Sequence, residues 1–356
     1  MSRFFSPDLA GLVPYTPGEQ PRDKQYIKLN TNESPFPPSP GVIAALHRGE
    51  TEKLNLYSSP TAADLTEAIA RRYAVPPDHV FAGNGSDEVL AFAFHAFGSA
   101  GVSAPDLSYG FYPVFAAFFG LPFYPVPVDE CLRIDPDQFV RAKGMVVLAN
   151  PNAQTGLYLT PAKIETIVRA NPDRVVLVDE AYIDFGGESV VPLTKRYDHL
   201  LVVQTFSKSR NLAGARIGFA IGHPALIADL NTLKFSFNPY NLNRLSILAG
   251  KAAMEDEAYF RRCTEAVIRT REDTTAQLAR LGFTCTDSRA NFILAQHPRI
   301  HGKALYQKLK ERGVLVRYLG ETETRIDRHV RITVGAREQM DILLAQIAEI
   351  LQEADL

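Results

Sequence analysis

Five short, mainly apolar runs constrain this chain most: Gly101–Ala104, Met145–Ala149, Val175–Val178, Leu200–Gln204 and Ile217–Ile221. A strand with one face in water alternates polar and apolar residues; these runs do not, so both faces of each are expected to be covered. Helical stretches such as Pro161–Ala170 fall between several of them. The expected fold is therefore α/β, a mainly parallel sheet flanked by helices. Upstream, Val80–Ala82 reads as a further strand, and helices are expected over Ala62–Tyr73 and Asp87–Phe97. Sheets of this kind bind ligands beyond the carboxyl ends of their strands, so the residues after each run are where function is sought.

The register changes after an amphipathic helix expected over Glu257–Leu281. Strand-like segments at Asn291–Ala295, Val314–Arg317 and Val330–Val334, with helices near Lys303–Arg312 and Glu338–Glu353, indicate a second, smaller α/β domain. The expected division of the 356 residues is an N-terminal arm over 1–30 joining the small domain, a large ligand-binding domain over 31–262 and a small domain over 263–356. The proline-rich Ser34–Pro40 reads as an extended connector, because proline fixes φ and disfavours helix before it.

The net charge of -2 offers no global attraction for nucleic acid or an anionic membrane, so any anion must be held by local groups. Cys131, Cys263 and Cys285 are odd in number and far apart, which fits neither a disulfide framework nor a metal site and favours a reducing, cytoplasmic setting. Pro298 separates His297 from His301 and argues against a helix that would pair them, so no metal is expected. The N-terminal MSRFFSPDLAGLVPY lacks the apolar core of a signal peptide, and the longest apolar tracts are too short or too proline-rich to span a bilayer.

Four strand ends carry the chemistry. Gly83-Asn84-Gly85-Ser86-Asp87-Glu88 opens a helix, whose free amides and dipole favour a phosphate; a tight turn with Ser86 as cap is the plainer alternative. A nicotinamide-dependent oxidoreductase could use Gly83-x-Gly85 with Asp106 as its ribose-binding acid, but Glu88 at the third glycine position would repel a pyrophosphate. Asn152, in Asn150–Gly156, could bind a ligand oxygen, although turn chemistry accounts for most of that stretch. Asp179 ends an apolar strand and needs a cationic or hydrogen-bonding partner, which a structural salt bridge would also supply. The fourth end is TFSKSRNLAGARIGF, Thr205–Phe219. Here Lys208 lies between two serines, Arg216 could add a charge to the phosphate, and Gly214 is expected to turn the chain back to present it. A lysine whose charge is disfavoured by burial or neighbours becomes a nucleophile toward aldehydes.

An amine, a carboxylate, a phenol with an amide, and a phosphate cup are together what pyridoxal phosphate requires. In these motifs, in Pro14-Tyr15-x-Pro17-Gly18, in Leu29-Asn30-x-Asn32-Glu33 and in Val330-Arg331-Ile332-Thr333-Val334-Gly335, the chain resembles fold-type I pyridoxal-phosphate aminotransferases. More narrowly, it resembles the histidinol-phosphate aminotransferase family, from about Leu12 to the last helix. The resemblance implies that Lys208 holds the cofactor's aldehyde carbon and later moves the substrate proton, that Asp179 pairs with the ring nitrogen, and that Asn152 and Tyr182 bind the ring oxygen. Tyr109 would stack on the ring. Gly85, the amides of Ser86 and Asp87, Thr205, Ser207 and Arg216 would hold the phosphate, with Tyr57 added from the other subunit of a homodimer. Arg331 would grip the carboxylate of glutamate, Tyr15 and Arg317 the substrate's phosphate, and Asn32 would also touch substrate.

The implied reaction is ping-pong transfer between glutamate/2-oxoglutarate and histidinol phosphate/imidazole-acetol phosphate. Aromatic amino acid aminotransferases and a phosphothreonine decarboxylase share the scaffold. A non-catalytic effector-binding domain would need neither Lys208 nor Asp179. Gln154 where the family usually has proline, Ser58-Ser59 after Tyr57, and the loop Glu33–Pro37 depart from the family pattern and touch the cleft wall.

Overall fold

The computed structural model describes residues 5–353; residues 1–4 of the expected arm and 354–356 of the expected small domain lie outside the described residues. In chain order the strands are β1 (Ile27–Lys28), β2 (Val80–Asn84), β3 (Val102–Pro105), β4 (Phe123–Val126), β5 (Met145–Ala149), β6 (Val176–Asp179), β7 (Leu200–Thr205), β8 (Ile217–Gly222), β9 (Thr284–Cys285), β10 (Phe292–Gln296), β11 (Val314–Leu315) and β12 (His329–Thr333). Seven of them form one sheet in the order β2-β8-β7-β6-β5-β3-β4. It is parallel from β4 to β7, and only β8 runs antiparallel to its neighbours.

The five apolar runs all lie in this sheet, two of them displaced by one residue, and every residue of β3, β5, β6, β7 and β8 is buried. Alternate side chains serve two cores. Met145, Val147, Leu177, Leu201 and Val203 pack on one face, while Val146, Leu148, Val176, Val178 and Val202 pack on the other. Each such side chain contributes roughly 1.5–3 kcal/mol relative to exposure, and a single polar residue in these runs would forfeit that on one face.

The tail forms a three-stranded antiparallel sheet, β12-β10-β9, packed with the helices Glu257–Arg280, Gly302–Glu311 and Arg337–Glu353. The strand expected over Val314–Arg317 is shorter, and Arg317 instead makes an isolated antiparallel bridge with Arg331. N-terminal β1 pairs in parallel with β11, Ile27 opposite Val314. Ser34–Pro38 is irregular, and Ser39 then caps the short helix Pro40–Ala45, its Oγ accepting from the Val42 amide.

The sequence pattern did not indicate β4 or the helices Pro224–Phe237 and Arg244–Glu255. Pro125 demotes β4 as a strand, but β4 is an edge of the sheet, where a missing N–H is tolerated. No described helix is long and apolar enough to cross a membrane.

Two glycines bring the ligand-facing ends together. Gly85 adopts φ 78°, and a Cβ there would lie 2.5 Å from Arg216 Nη2. A Cβ on Gly218 would lie 2.2 Å from the Ser86 amide nitrogen, so β8 presses directly against the first turn of the helix Gly85–Phe97. Gly218→Ala should therefore cost about 1–3 kcal/mol. Gly214→Ala, with nothing within 4 Å of the added carbon, should stay within about 0.5 kcal/mol. Urea unfolding of the two variants beside the parent checks the contrast.

Candidate active site

Asp179 is the last residue of β6, between β5 and β7 in the sheet, and is 5% exposed. Its Oδ2 accepts from the Tyr112 hydroxyl at 2.9 Å and its Oδ1 from the Ala181 amide at 3.2 Å. Burial nevertheless dominates and pushes its pKa up to about 6. Three residues beyond β7, half-buried Lys208 enters the same cleft; its Nζ donates to the Thr31 carbonyl at 3.2 Å and lies 5.8 Å from the centre of the Tyr182 ring. Burial first, and the Arg331 cation second, lower the Lys208 pKa to about 8. The cleft encloses about 580 Å³ including its open mouth, and Ser86, Asp87, Tyr109, Tyr182, Thr205, Ser207 and Arg216 line it with these two groups.

At one end lies the start of the helix Gly85–Phe97, where first-turn amides have no intrahelical partner. Ser86 does not cap this helix. Glu88 does, its Oε2 accepting from the Asn84 amide at 2.6 Å, as in a capping box, and also from Asn241. Nor does Gly214 supply the backward turn before Arg216: it has no left-handed φ, and Arg216 itself takes that conformation at φ 52°. Arg216 Nη2 donates to Asp87 Oδ2 at 3.0 Å, and the Tyr109 hydroxyl donates to Asp87 Oδ1 at 2.9 Å. Asp106, the acid a dinucleotide ribose would need, is instead gripped by two hydrogen bonds from Arg325 Nη1.

The substrate side is built largely by the N-terminal segment and β12. Asn32 is left-handed at φ 55° and fully engaged. Its amide donates to Thr333 Oγ1, its Oδ1 accepts from Thr333, its carbonyl accepts from Asn291, and its Nδ2 donates to the Tyr182 hydroxyl at 3.1 Å. Arg331 Nη1 donates to the Ala153 carbonyl at 3.0 Å and to Gln154 Oε1 at 3.1 Å, while its Nε is buried without a partner. Arg317 donates to the carbonyls of Thr16 and Pro17, each at 3.1 Å, and so fixes the arm that stacks Tyr15 on Phe111 and places it 6.2 Å from the Tyr109 ring.

Two expected residues stand apart from this cleft. Asn152 donates to the Leu107 carbonyl and accepts from the amides of Gln154 and Thr155, so its side chain is bound within its own turn and lines a neighbouring cleft. Tyr57 is 79% exposed and stacks on Tyr240. Sequence reasoning also passed over Tyr112 and the Glu180 network. Tyr112 sits in an apolar helix, Phe111–Phe118, and a buried hydroxyl there was a signal that an acceptor must lie nearby. Glu180 accepts from Ser189, Gln204 and the Val190 amide, and burial pushes its pKa up to about 7.

Residues 24–347 match the family described as aminotransferase class I and II. The chain is 47% identical over 355 residues to the histidinol-phosphate aminotransferase of Brachyspira hyodysenteriae, covering 99% of this chain and 100% of that one. It is 48% identical over 355 residues to histidinol-phosphate aminotransferase 1 of Bordetella parapertussis, covering 98% and 99%. Its fold is similar to that of the Sinorhizobium meliloti histidinol-phosphate aminotransferase solved in complex with pyridoxal-5'-phosphate, with TM-score 0.88, 23% identity and 99% of each chain covered.

The lowered Lys208 pKa sets a pH dependence. Aldehyde capture by cofactor-stripped protein, trapped by borohydride, should rise through about pH 8, because only the deprotonated amine attacks. Linkage gives stability the same direction. Between about 8 and the ordinary 10.5 the unfolded chain binds more protons at this lysine, so its contribution to stability improves as pH rises across that window. A capture rate that is flat from pH 7 to 9 contradicts the assignment.

Proposed function

The chain belongs to the class I and II aminotransferase family, and we propose that it exchanges an amino group between glutamate and imidazole-acetol phosphate, giving 2-oxoglutarate and histidinol phosphate in histidine biosynthesis. The observation that carries this reading is the pairing of Lys208 and Asp179 in one cleft whose far end is a helix start lined by Arg216. The cofactor is pyridoxal 5'-phosphate, and the residues present fit it. Arg216 and the Ser86 amide can close on the helix start because positions 85 and 218 carry no Cβ, which supports a phosphate there, and the buried Asp179 carboxyl is suited to pair with a ring nitrogen.

When bound, this cofactor supplies an aldehyde that exchanges with amines and a protonated ring that takes up electrons when a Cα proton leaves. The chain's own residues do the rest. Asp179, held by Tyr112 and the Ala181 amide, accepts from the ring nitrogen and keeps it protonated. Lys208 would hold the cofactor's aldehyde at rest and, once displaced by substrate, would serve as the base that takes up the substrate's Cα proton. Tyr182, oriented by Asn32, would meet the ring oxygen, and Ala153, which follows Asn152, lines the same cleft. Tyr109 stacks on the ring. Ser86, Asp87, Thr205, Ser207 and Arg216 hold the phosphate. Arg331 takes the carboxylate of glutamate, and Tyr15 with Arg317 takes the phosphate of the longer substrate.

We assign Tyr57 to the active site of a second copy in a homodimer, which its exposure supports. A cytoplasmic setting and a division into arm, large domain and small domain at about residues 30 and 262 complete the reading.

The purified protein loaded with pyridoxal phosphate should absorb visible light and bleach with glutamate. In a scan of amino compounds, histidinol phosphate should bleach it at lower concentration than phenylalanine or tyrosine. Lys208→Ala should lower turnover by about 10²-fold to 10⁴-fold. Bleaching first by an aromatic amino acid would replace the substrate assignment, and failure to take up cofactor would overturn the function.

A further inference from the structure

We propose that Gln154 is the positioning residue for Arg331, selecting which edge of its guanidinium an incoming carboxylate meets; this rests on the transaminase reading above. An arginine offers two forked edges to a carboxylate, Nη1/Nη2 and Nε/Nη2, and each can bind it through two parallel hydrogen bonds. Here both protons of Nη1 are committed, one to the Ala153 carbonyl at 3.0 Å and one to Gln154 Oε1 at 3.1 Å. Nε is buried and has no partner. The edge left for a ligand is therefore Nε/Nη2.

The remainder of Arg331 is held as firmly. Its backbone exchanges hydrogen bonds with Arg317 at 2.8 and 2.9 Å, its strand position is opposite Leu294, and the Phe292 ring lies 5.2 Å from the guanidinium. Gln154 is itself tethered, its amide donating to Asn152 Oδ1 at 2.9 Å. Beyond the Phe292 ring and the Ala153 carbonyl, rotation about the last torsions of Arg331 is opposed by the side-chain hydrogen bond to Gln154.

The choice of an amide matters electrostatically. Gln154 accepts a hydrogen bond without carrying charge, so Arg331 is oriented while its full positive charge remains for the substrate. A carboxylate at the same place would form an ion pair and compete with the ligand. The buried, unpaired Nε gains a partner when the carboxylate of glutamate or 2-oxoglutarate arrives, which favours those two acids in their half of the reaction.

The test is the affinity of the cofactor-loaded protein for succinate, a dicarboxylate that cannot react, measured by calorimetry, together with KM and kcat for 2-oxoglutarate. Gln154→Met keeps the length but removes the acceptor, and should weaken succinate and raise KM by about tenfold. It should leave kcat within about threefold, with the visible absorption band and unfolding midpoint of the parent. Gln154→Glu should weaken succinate further. If the parent binds succinate and both variants bind it equally well, the positioning role is overturned while the transaminase reading stands. A parallel collapse of kcat and the visible band in Gln154→Met would show a structural role and also overturn it. If the parent binds no dicarboxylate, this inference and the glutamate assignment fall together.

Discussion

A carboxyl group placed at the end of a strand with no water on either side is the constraint around which the rest of the cleft is organised. Asp179 closes β6, whose neighbours β5 and β7 are buried along their whole length. Its ionised form is therefore favoured only by what the protein supplies, the Tyr112 hydroxyl, the Ala181 amide and the Lys208 charge, and these do not fully offset burial. Lys208 has the opposite problem for the same reason, since its charged form is the one that burial penalises. One pKa rises to about 6 and the other falls to about 8, so the two approach each other around neutrality. Shifts of both groups toward neutrality, each driven by burial, are what a functional cleft imposes on groups that have chemical tasks. A cation resting on Asp179 would restore its charge, whereas a neutral ligand would leave it partly protonated.

The second organising feature is the N-terminal segment. Thr31 holds the Lys208 amine through its carbonyl, and the next residue, left-handed Asn32, ties Tyr182 to Thr333 and Asn291 near the other end of the chain. A left-handed conformation is strained for most residues but tolerated by asparagine. Here it lets one residue direct its amide, carbonyl and side chain to three different elements. The C-terminal layer is fixed to the main sheet by such buried contacts more than by surface pairs such as Arg325 with Asp106, whose partial exposure makes them modest in energy.

Much of this was legible from the sequence, for identifiable reasons. The strands were legible because they lack alternation, and the ends of β2, β6 and β7 pointed to Ser86, Asp179 and Lys208, which the fold does bring to one cleft. What could not be read depends on partners fixed only by tertiary structure. The acceptor for Lys208 is a backbone carbonyl 177 residues away, and that for the Tyr112 hydroxyl is a side chain 67 residues on. Local rules failed where context outweighed them. Gly214 looked like the turn residue, yet Arg216 carries the left-handed backbone because the Gly85 amide donates to its carbonyl and pins it in place. Asn152 could offer its Nδ2 to a ligand oxygen, yet that group donates to the Leu107 carbonyl.

The chain as a whole carries a net charge of -2, yet Lys208 and Arg216 line its cleft, Arg331 is bonded to the lining residue Ala153, and Arg317 bridges to Arg331. How these cations are held explains how they stay useful. Lys208 rests on the Thr31 carbonyl, Arg317 on those of Thr16 and Pro17, and Arg331 on the Ala153 carbonyl and the Gln154 amide. Every one of these acceptors is uncharged. A neutral acceptor fixes direction but leaves the positive potential uncancelled, whereas a carboxylate would cancel most of it before a substrate arrived. The exception is Arg216, paired with Asp87, and it is the exposed case, with side chains 48% and 37% accessible. An ion pair that open to water is worth little, so a phosphate bearing nearly two charges can displace it at small cost. Half-buried cations with neutral partners and one exposed cation with an exchangeable partner are together what a site needs if it must attract anions and also release them.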